Sequence, residues 1–127
     1  MNALNLQPSI FDIISLSKKE NIIYAKAKIL ADSDIYKAHF PGNPITPGVC
    51  QLQLVKDCVK TAYQTKNLIF KSSKFVKFVN ILKPTEHQEI DIEISVNEEN
   101  GLLELDAKIF DNDTIFLKAR LNYTLSA

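Results

Sequence analysis

The sequence predicts an α+β domain in which a curved antiparallel sheet wraps around one long central helix. Three observations support this prediction: a hairpin pattern in residues 10–30, a helical pattern in residues 48–63, and alternating strand patterns after residue 69. The apolar arc of the helix covers more than half of its circumference, so the sheet has to surround it. The chain has 127 residues, and we expect a single domain over residues 1–127.

The first part of the chain predicts a hairpin followed by a loop. Residues 10–16 and 22–30 are apolar runs separated by the polar sequence SKKEN. Within the second run apolar and polar residues alternate, which is the period of a half-buried strand. The alternating residues are Ile23, Ala25, Ala27 and Ile29 against Tyr24, Lys26 and Lys28. Residues 31–38, ADSDIYKA, are polar and predict a loop.

Residues 48–63 predict a helix of about four turns. Its apolar arc contains Val49, Cys50, Leu52, Leu54, Val55, Cys58, Val59, Ala62 and Tyr63. The remaining narrow stripe contains Gln53, Asp57, Lys60 and Gln64, and it is either a solvated face or part of a site. The two cysteines lie about 12 Å apart along the helix axis, too far for a disulfide. We therefore expect reduced thiols that pack as small apolar side chains.

The rest of the chain predicts a meander of three or four strands. Residues 69–82 read as one long bent strand, and residues 90–96, 103–109 and 115–125 follow as further strands. Asn100-Gly101 is a strong signal for a tight hairpin turn. One helix cannot cover both faces of such a sheet, so we expect a homodimer or heterodimer, joined edge to edge or through facing helices.

Composition excludes several classes of function. Lysine and arginine number 15 against 15 for aspartate and glutamate, without a basic run, so a nucleic-acid partner is not expected. No apolar run approaches the roughly 18 residues that a membrane span needs. The N-terminal sequence has no pattern of a secretory signal, so we expect no membrane span and a cytoplasmic location.

Residues 39–48, HFPGNPITPG, lead directly into the predicted helix. Proline presets φ and glycine permits close backbone approach, so this segment predicts a rigid pocket wall. It places His39, a side chain that titrates near neutral pH, close to the free N–H groups of a helix N-terminus. Taken alone, His39 could equally be a structural hydrogen-bonding residue in a turn.

Residues 39–49, HFPGNPITPGV, closely resemble the signature of the hotdog-fold 3-hydroxyacyl-[acyl-carrier-protein] dehydratases of the FabZ type. Residues 78–86, FVNILKPTE, resemble the strand and turn of the same family. The resemblance implies a hotdog fold, a dimer with two active sites at its interface, and a lyase of fatty-acid or related lipid or polyene biosynthesis. The implied substrate is a thioester on a phosphopantetheine arm, carried by acyl carrier protein or coenzyme A. No metal or diffusible cofactor is implied.

The resemblance also assigns roles to residues. It implies that His39 is the catalytic base and that the N–H of Gly48 polarises the thioester carbonyl. Val49 and Phe40 are expected to contribute to the substrate-binding site. These roles agree with the chemistry, because removal of the α-proton builds negative charge on the carbonyl oxygen, which helix N-terminal N–H groups stabilise.

The family carries an acidic residue, contributed by the other subunit, where this chain has Gln53. Asp57 lies one turn later, and positions i and i+4 share one helix face. Our hypothesis is that the amide and the carboxyl have exchanged places, so that Asp57, kept protonated in an apolar tunnel, supplies a proton to the 3-hydroxyl. The proton passes directly or through a water that Gln53 holds. The alternative is a solvated Asp57 paired with Lys56 or Lys60.

Three functions remain open at this point. The first is dehydration of 3-hydroxyacyl thioesters. The second is a non-catalytic hotdog subunit that completes the site of an active partner, and the third is an acyl thioesterase. The second histidine, His87, follows a polar turn, and we expect it to be exposed.

Overall fold

The computed structural model describes residues 10–38, 42–65 and 67–125. Within these residues the chain forms two helices and six strands. In chain order they are β1 (Phe11–Lys19), β2 (Ile22–Ile29), α1 (Asp34–Ala38), α2 (Gly48–Ala62), β3 (Leu68–Phe78), β4 (Glu89–Glu99), β5 (Leu102–Asp111) and β6 (Thr114–Leu125).

The six strands form one antiparallel sheet in the order β1-β2-β4-β5-β6-β3. Helix α2 packs against β1 and β2 at one margin of the sheet and against β3 at the other. Because β1 and β3 are opposite edges, the sheet has to curve around the helix. The predicted α+β class is therefore confirmed. The expectation of one long central helix is met only coarsely, since α2 spans 15 residues and lies nearest to the margins.

The core is built from the alternating residues of β4 and β5. Their inward side chains are buried in matching register: Ile92 lies opposite Ile109, Ile94 opposite Ala107, and Val96 opposite Leu105. Helix α2 adds Leu54, Val55, Cys58 and Val59 to the same core. Each fully buried aliphatic side chain of this size contributes about 1.5–3 kcal/mol relative to exposure.

The predicted hairpin turn at Asn100-Gly101 is confirmed. Both residues have positive φ, 54° and 80°, which is the requirement of the two-residue turn that matches the twist of antiparallel strands. Glycine meets this requirement without steric cost, and asparagine tolerates it better than most residues.

Three details differ from the sequence predictions. Residues 34–38 form a short helix, started by Ser33, whose hydroxyl accepts a hydrogen bond from the Ile35 N–H at 3.3 Å. Strand β3 ends at Phe78, before residue 82. The predicted meander of three or four strands consists of three, β4, β5 and β6, and β3 lies outside it and pairs with β6 at the edge of the sheet.

Strand β3 leaves most of its side chains exposed on the sheet edge. Its pairing with β6 contains two register shifts, and each gives β3 one extra residue, Lys71 and Lys74. The exposed apolar residues of this region are Ile69, Phe70, Phe75, Phe78, Val79 and Ile81. Neither helix in the described residues has the length and hydropathy to cross a membrane.

Candidate active site at the start of helix α2

At the start of helix α2, two N–H groups have no acceptor among the described residues. Pro47 precedes the helix in an extended conformation and provides no side-chain cap. Its carbonyl accepts hydrogen bonds from Cys50 and Gln51, at 3.1 and 3.3 Å. Within the described part of the chain, the N–H groups of Gly48 and Val49 donate to no acceptor. Free donors at a helix N-terminus favour an anion or a polarised carbonyl oxygen.

An exposed aromatic ring contacts the start of helix α2, and further exposed apolar residues flank the contact in the sequence. The end of the Phe78 ring lies on the Cα of Gly48 so closely that any side chain at position 48 would collide with it. Val49 is 72% exposed, although the sequence placed it on the apolar arc of the helix. We call Val49, Phe78, Val79 and Ile81, each at least half exposed, the helix-start surface.

Thr46 anchors the chain just before the helix, a role that the sequence analysis missed. Its N–H donates to the carbonyl of Leu82 at 2.8 Å, and its hydroxyl shares a 2.6 Å hydrogen bond with the Tyr36 hydroxyl. Both residues are 3% exposed. Burial raises the pKa of Tyr36 to about 12, and the hydrogen bond to Thr46 opposes that effect only in part.

Gln53 and Asp57 lie side by side on α2, as their spacing predicts. The Gln53 amide nitrogen donates to the Asp57 carboxylate at 2.9 Å, Gln53 is exposed, and Asp57 is half-buried. Neither Lys56 nor Lys60 forms a salt bridge with Asp57 in the described residues. The described residues therefore do not support the alternative in which Asp57 is paired with a lysine. The catalytic role of Gln53 and Asp57 stays a prediction.

Gln51, which the sequence analysis did not single out, is a buried polar residue one turn into α2. Its side chain is 3% exposed, and its carbonyl oxygen has no hydrogen-bond partner among the described residues. An unpaired buried carbonyl costs about 1–3 kcal/mol. Because its neighbours on the helix are apolar, the sequence contained no pattern that marked this position as a buried polar residue.

Two predicted site residues, His39 and Phe40, lie outside the described residues. The other histidine, His87, was expected to be exposed, and this expectation is wrong. Its side chain is only 21% exposed, and its Nδ1 lies 2.7 Å from the Asp111 carboxylate. Its ring also packs edge-on against Phe116. The sequence could not indicate this pair, because Asp111 follows two strands later.

The two cysteines are free thiols, as expected. Burial raises the pKa of Cys58 to about 12 and also raises that of the half-buried Cys50. Burial therefore keeps both thiols protonated, and protonated thiols are poor nucleophiles. Among the described residues, no three His, Cys, Asp or Glu side chains come together as possible metal ligands.

Solved structures with this fold include dehydratases and a thioesterase-like protein. The dehydratase heterocomplex ApeI:P from Xenorhabdus doucetiae aligns with a TM-score of 0.70 and 21% identity, covering 89% of this chain and 96% of that chain. A putative thioesterase, yhdA from Lactococcus lactis, aligns with a TM-score of 0.67 and 16% identity, covering 98% and 97%. At these identities the likeness establishes the hotdog fold.

The sequence identifies the family more narrowly. The chain belongs to the ApeI-like family, described as ApeI dehydratase, whose model matches residues 15–117. A 3-hydroxyacyl-[acyl-carrier-protein] dehydratase FabZ from Fusobacterium nucleatum is 24% identical over 118 residues, covering 90% of this chain and 83% of that protein. A protein of the same name from Campylobacter fetus is 28% identical over 111 residues, covering 78% and 74%. The resemblance to FabZ-type dehydratases is confirmed.

Proposed function

We propose that this protein catalyses the dehydration of 3-hydroxyacyl thioesters carried on a phosphopantetheine arm, as a lyase of fatty-acid or related lipid or polyene biosynthesis. The observation that carries the proposal is the pair of free N–H groups at Gly48 and Val49. Membership of the ApeI-like family supports the reaction class, and the names of the FabZ relatives support the substrate class. The thioester is bound to acyl carrier protein or to coenzyme A.

The free N–H groups bind the thioester carbonyl oxygen. Enolate character develops on this oxygen when the α-proton leaves, and preorganised donors stabilise it more in the transition state than in the bound substrate. The helix dipole adds to this stabilisation because positive potential accumulates at the N-terminus. Two amides without a competing acceptor are therefore suited to the task.

His39 removes the proton from the α-carbon of the acyl chain. The electrons of that C–H bond form a double bond to the neighbouring carbon, and the bond from that carbon to the hydroxyl oxygen breaks. Asp57 gives the leaving oxygen a proton, directly or through a water held by Gln53, and water departs. The proton taken by His39 returns to Asp57 through solvent before the next cycle. No metal or diffusible cofactor takes part in this proposal.

Transfer of a proton from Asp57 to the leaving oxygen needs a site from which bulk water is largely excluded. In the described chain Gln53 is exposed, so this face of α2 needs a cover. We propose that a second hotdog subunit provides it. Its sheet would pair along the edge of β3, next to the helix-start surface.

The second candidate is a non-catalytic hotdog subunit that completes the site of an active partner. The exposure of Gln53, in place of the acid of the family, favours it. The heterocomplex of the ApeI:P structure also supports partnering between unlike hotdog subunits. In that case the chain contributes the acyl-binding surface, and its partner contributes the acid.

The primary test is incubation of the purified protein with 3-hydroxyacyl carrier-protein and coenzyme A thioesters of several chain lengths, with mass detection of water loss. His39→Ala should abolish dehydration while the protein stays folded. His87→Ala is the matched control: it should lower stability, because it removes the contact to Asp111, but leave turnover intact. Normal turnover by His39→Ala would exclude its role as the base.

Two variants of Gly48 isolate the proposed N–H donor. Alanine and proline both add a side chain that displaces Phe78, but only proline also removes the N–H. Proline is tolerated at the first helical position, and the extended Pro47 is compatible with a following proline. Gly48→Pro should therefore lower kcat about 100-fold or more relative to Gly48→Ala. Equal activity of the two variants would exclude the donor role.

Three variants test the amide–carboxyl pair: Asp57→Asn, Gln53→Glu, and the exchange of Gln53→Glu with Asp57→Gln. If Asp57 is the acid, the first variant is inactive and the exchange restores turnover. If the chain is the non-catalytic subunit, wild type and Asp57→Asn are both inactive alone. In that case Gln53→Glu creates turnover where none existed.

A further inference from the structure

Thr46 joins three separate parts of the chain. Its backbone N–H is bound to Leu82, after β3, and its side chain is bound to Tyr36 on α1. Both Thr46 and Tyr36 are buried, so this hydroxyl pair is shielded from competing water. A turn that leads into a helix does not require a buried hydroxyl pair, because water can form the hydrogen bonds that an exposed turn residue needs.

We propose that Thr46, held by Tyr36 and Leu82, is a positioning residue that fixes the direction of the free Gly48 and Val49 N–H groups. The catalytic consequence of this inference rests on the proposed function. The inference goes beyond that function by assigning roles to two residues, Tyr36 and Thr46, that touch neither substrate nor the reacting atoms.

The covalent path from Thr46 to the donors is short and stiff. Only Pro47 stands between Thr46 and Gly48, and its ring fixes φ at −61°. The helix has no side-chain cap that could hold its first turn. Anchoring Thr46 through both its backbone and its side chain therefore sets where the two N–H groups point. A misplacement of about 1 Å at a catalytic group can cost on the order of 100-fold in rate.

A hydrogen bond suits this role better than an apolar contact. Two hydroxyls at 2.6 Å define a distance and a direction, whereas apolar burial is non-directional. Tyr36 also interacts electrostatically with Cys50 in the first turn of α2, so it lies near the start of this helix. The pair therefore holds the helix start at a defined place relative to α1.

The test uses variants that remove the hydrogen bond while nearly preserving shape: Tyr36→Phe and Thr46→Val. Thr46→Ser keeps the hydroxyl and should rescue the function. We expect kcat for dehydration to fall about tenfold in the first two variants, with KM unchanged within about twofold. The double variant should lose no more than either single one, because both remove the same bond. Tyr24→Phe, which removes an exposed hydroxyl on β2, is the control and should be unchanged.

A second readout does not depend on turnover. Backbone NMR order parameters of the Gly48 and Val49 amides should fall from about 0.85, the value of a rigid backbone, toward 0.6 in Tyr36→Phe. Amides in β4 and β5 should keep their values. If wild type does not dehydrate any thioester, the proposed function fails and this measurement alone decides the positioning role.

The outcomes separate the possibilities. A lower melting temperature with unchanged kcat and unchanged order parameters would make the pair merely structural and overturn the inference. A kcat of Thr46→Ser as low as that of Thr46→Val would also overturn it, because the hydroxyl group would then not be what fixes the two N–H groups. If Thr46→Val does not fold, Tyr36→Phe, which loses one oxygen atom, gives the decision.

Discussion

The β4–β5 hairpin and the start of α2 differ in where their interaction partners are. In the hairpin, inward side chains are buried against one another, the register is continuous, and the turn meets its backbone requirement. At the start of α2, two N–H groups have no acceptor, Val49 faces solvent, and the Gln51 carbonyl is unpaired among the described residues. The hairpin has its partners within the described residues, whereas the helix start keeps free donors, an exposed valine and an unpaired carbonyl among them.

The largest difference in effect is expected between alanine substitutions of two phenylalanines. Phe116 is fully buried on β6, whereas Phe78 is half exposed over Gly48. Phe116→Ala should lower the free energy of unfolding by about 3–5 kcal/mol, because it removes a core ring and leaves a cavity. Phe78→Ala should cost less than about 1 kcal/mol and instead weaken subunit association or turnover. Urea unfolding measures the first effect and analytical ultracentrifugation the second. Equal destabilisation would mean that the Phe78 ring belongs to the core.

The stability of the protein at alkaline pH should also distinguish the core from the helix start, through the two cysteines of α2. Folding raises the pKa of Cys58 from 9.0 to about 12, so the folded state keeps this proton longer than the unfolded state does. Its contribution to stability is complete below pH 9 and is lost as the pH rises toward 12, by about 1.4 kcal/mol for each pKa unit. Tyr36, with a pKa raised to about 12, acts in the same direction above pH 10.

Replacing Cys58 with alanine should therefore flatten the loss of stability above pH 9, measured as urea midpoints at several pH values. The half-buried Cys50 is the matched control nearer the helix start, and Cys50→Ala should leave most of the slope in place. An unchanged slope in Cys58→Ala would show that this thiol ionises as freely in the folded protein as in the unfolded chain.

The smallest predicted effect concerns Gln51. Gln51→Met removes a buried carbonyl oxygen while keeping a similar shape, so the isolated chain should gain about 1 kcal/mol of unfolding free energy. Gln53→Met, at an exposed position two residues later, should stay within about 0.5 kcal/mol. Both changes are measurable by urea denaturation. Destabilisation by Gln51→Met would mean that the amide already has a partner inside the folded chain.

Much of the hairpin region could be predicted from the sequence because its information is local. The alternation along β4 and the Asn100-Gly101 turn are each encoded within a few residues, and the structure confirms both. Helix α2 begins at Gly48, where the proline and glycine pattern placed it. The family signature, residues 39–49, includes the same helix start.

The remaining features depend on contacts between distant residues. The pairing of β3 with β6, the Tyr36–Thr46 hydroxyl pair and the His87–Asp111 pair each join segments that no period connects. Helix α1 was missed for another reason: its polar sequence is typical of a loop, although Ser33 is a recognisable helix-capping residue. The helical period also put Val49 on the apolar arc, because a period indicates the apolar face of a helix but not where the cover of that face ends.

The two extra lysines of β3 have a consequence for growth of the sheet. A long edge strand with exposed phenylalanines would otherwise accept strand after strand, which is the geometry of a fibril. Lys71 and Lys74 lie where the strand bulges, so the edge is bent at both positions. Lys71 is exposed, whereas Lys74 forms a 3.3 Å salt bridge with Glu104. Only a neighbour with a matching bend can align with this edge. The two bulges therefore disfavour open-ended growth of the sheet along this edge.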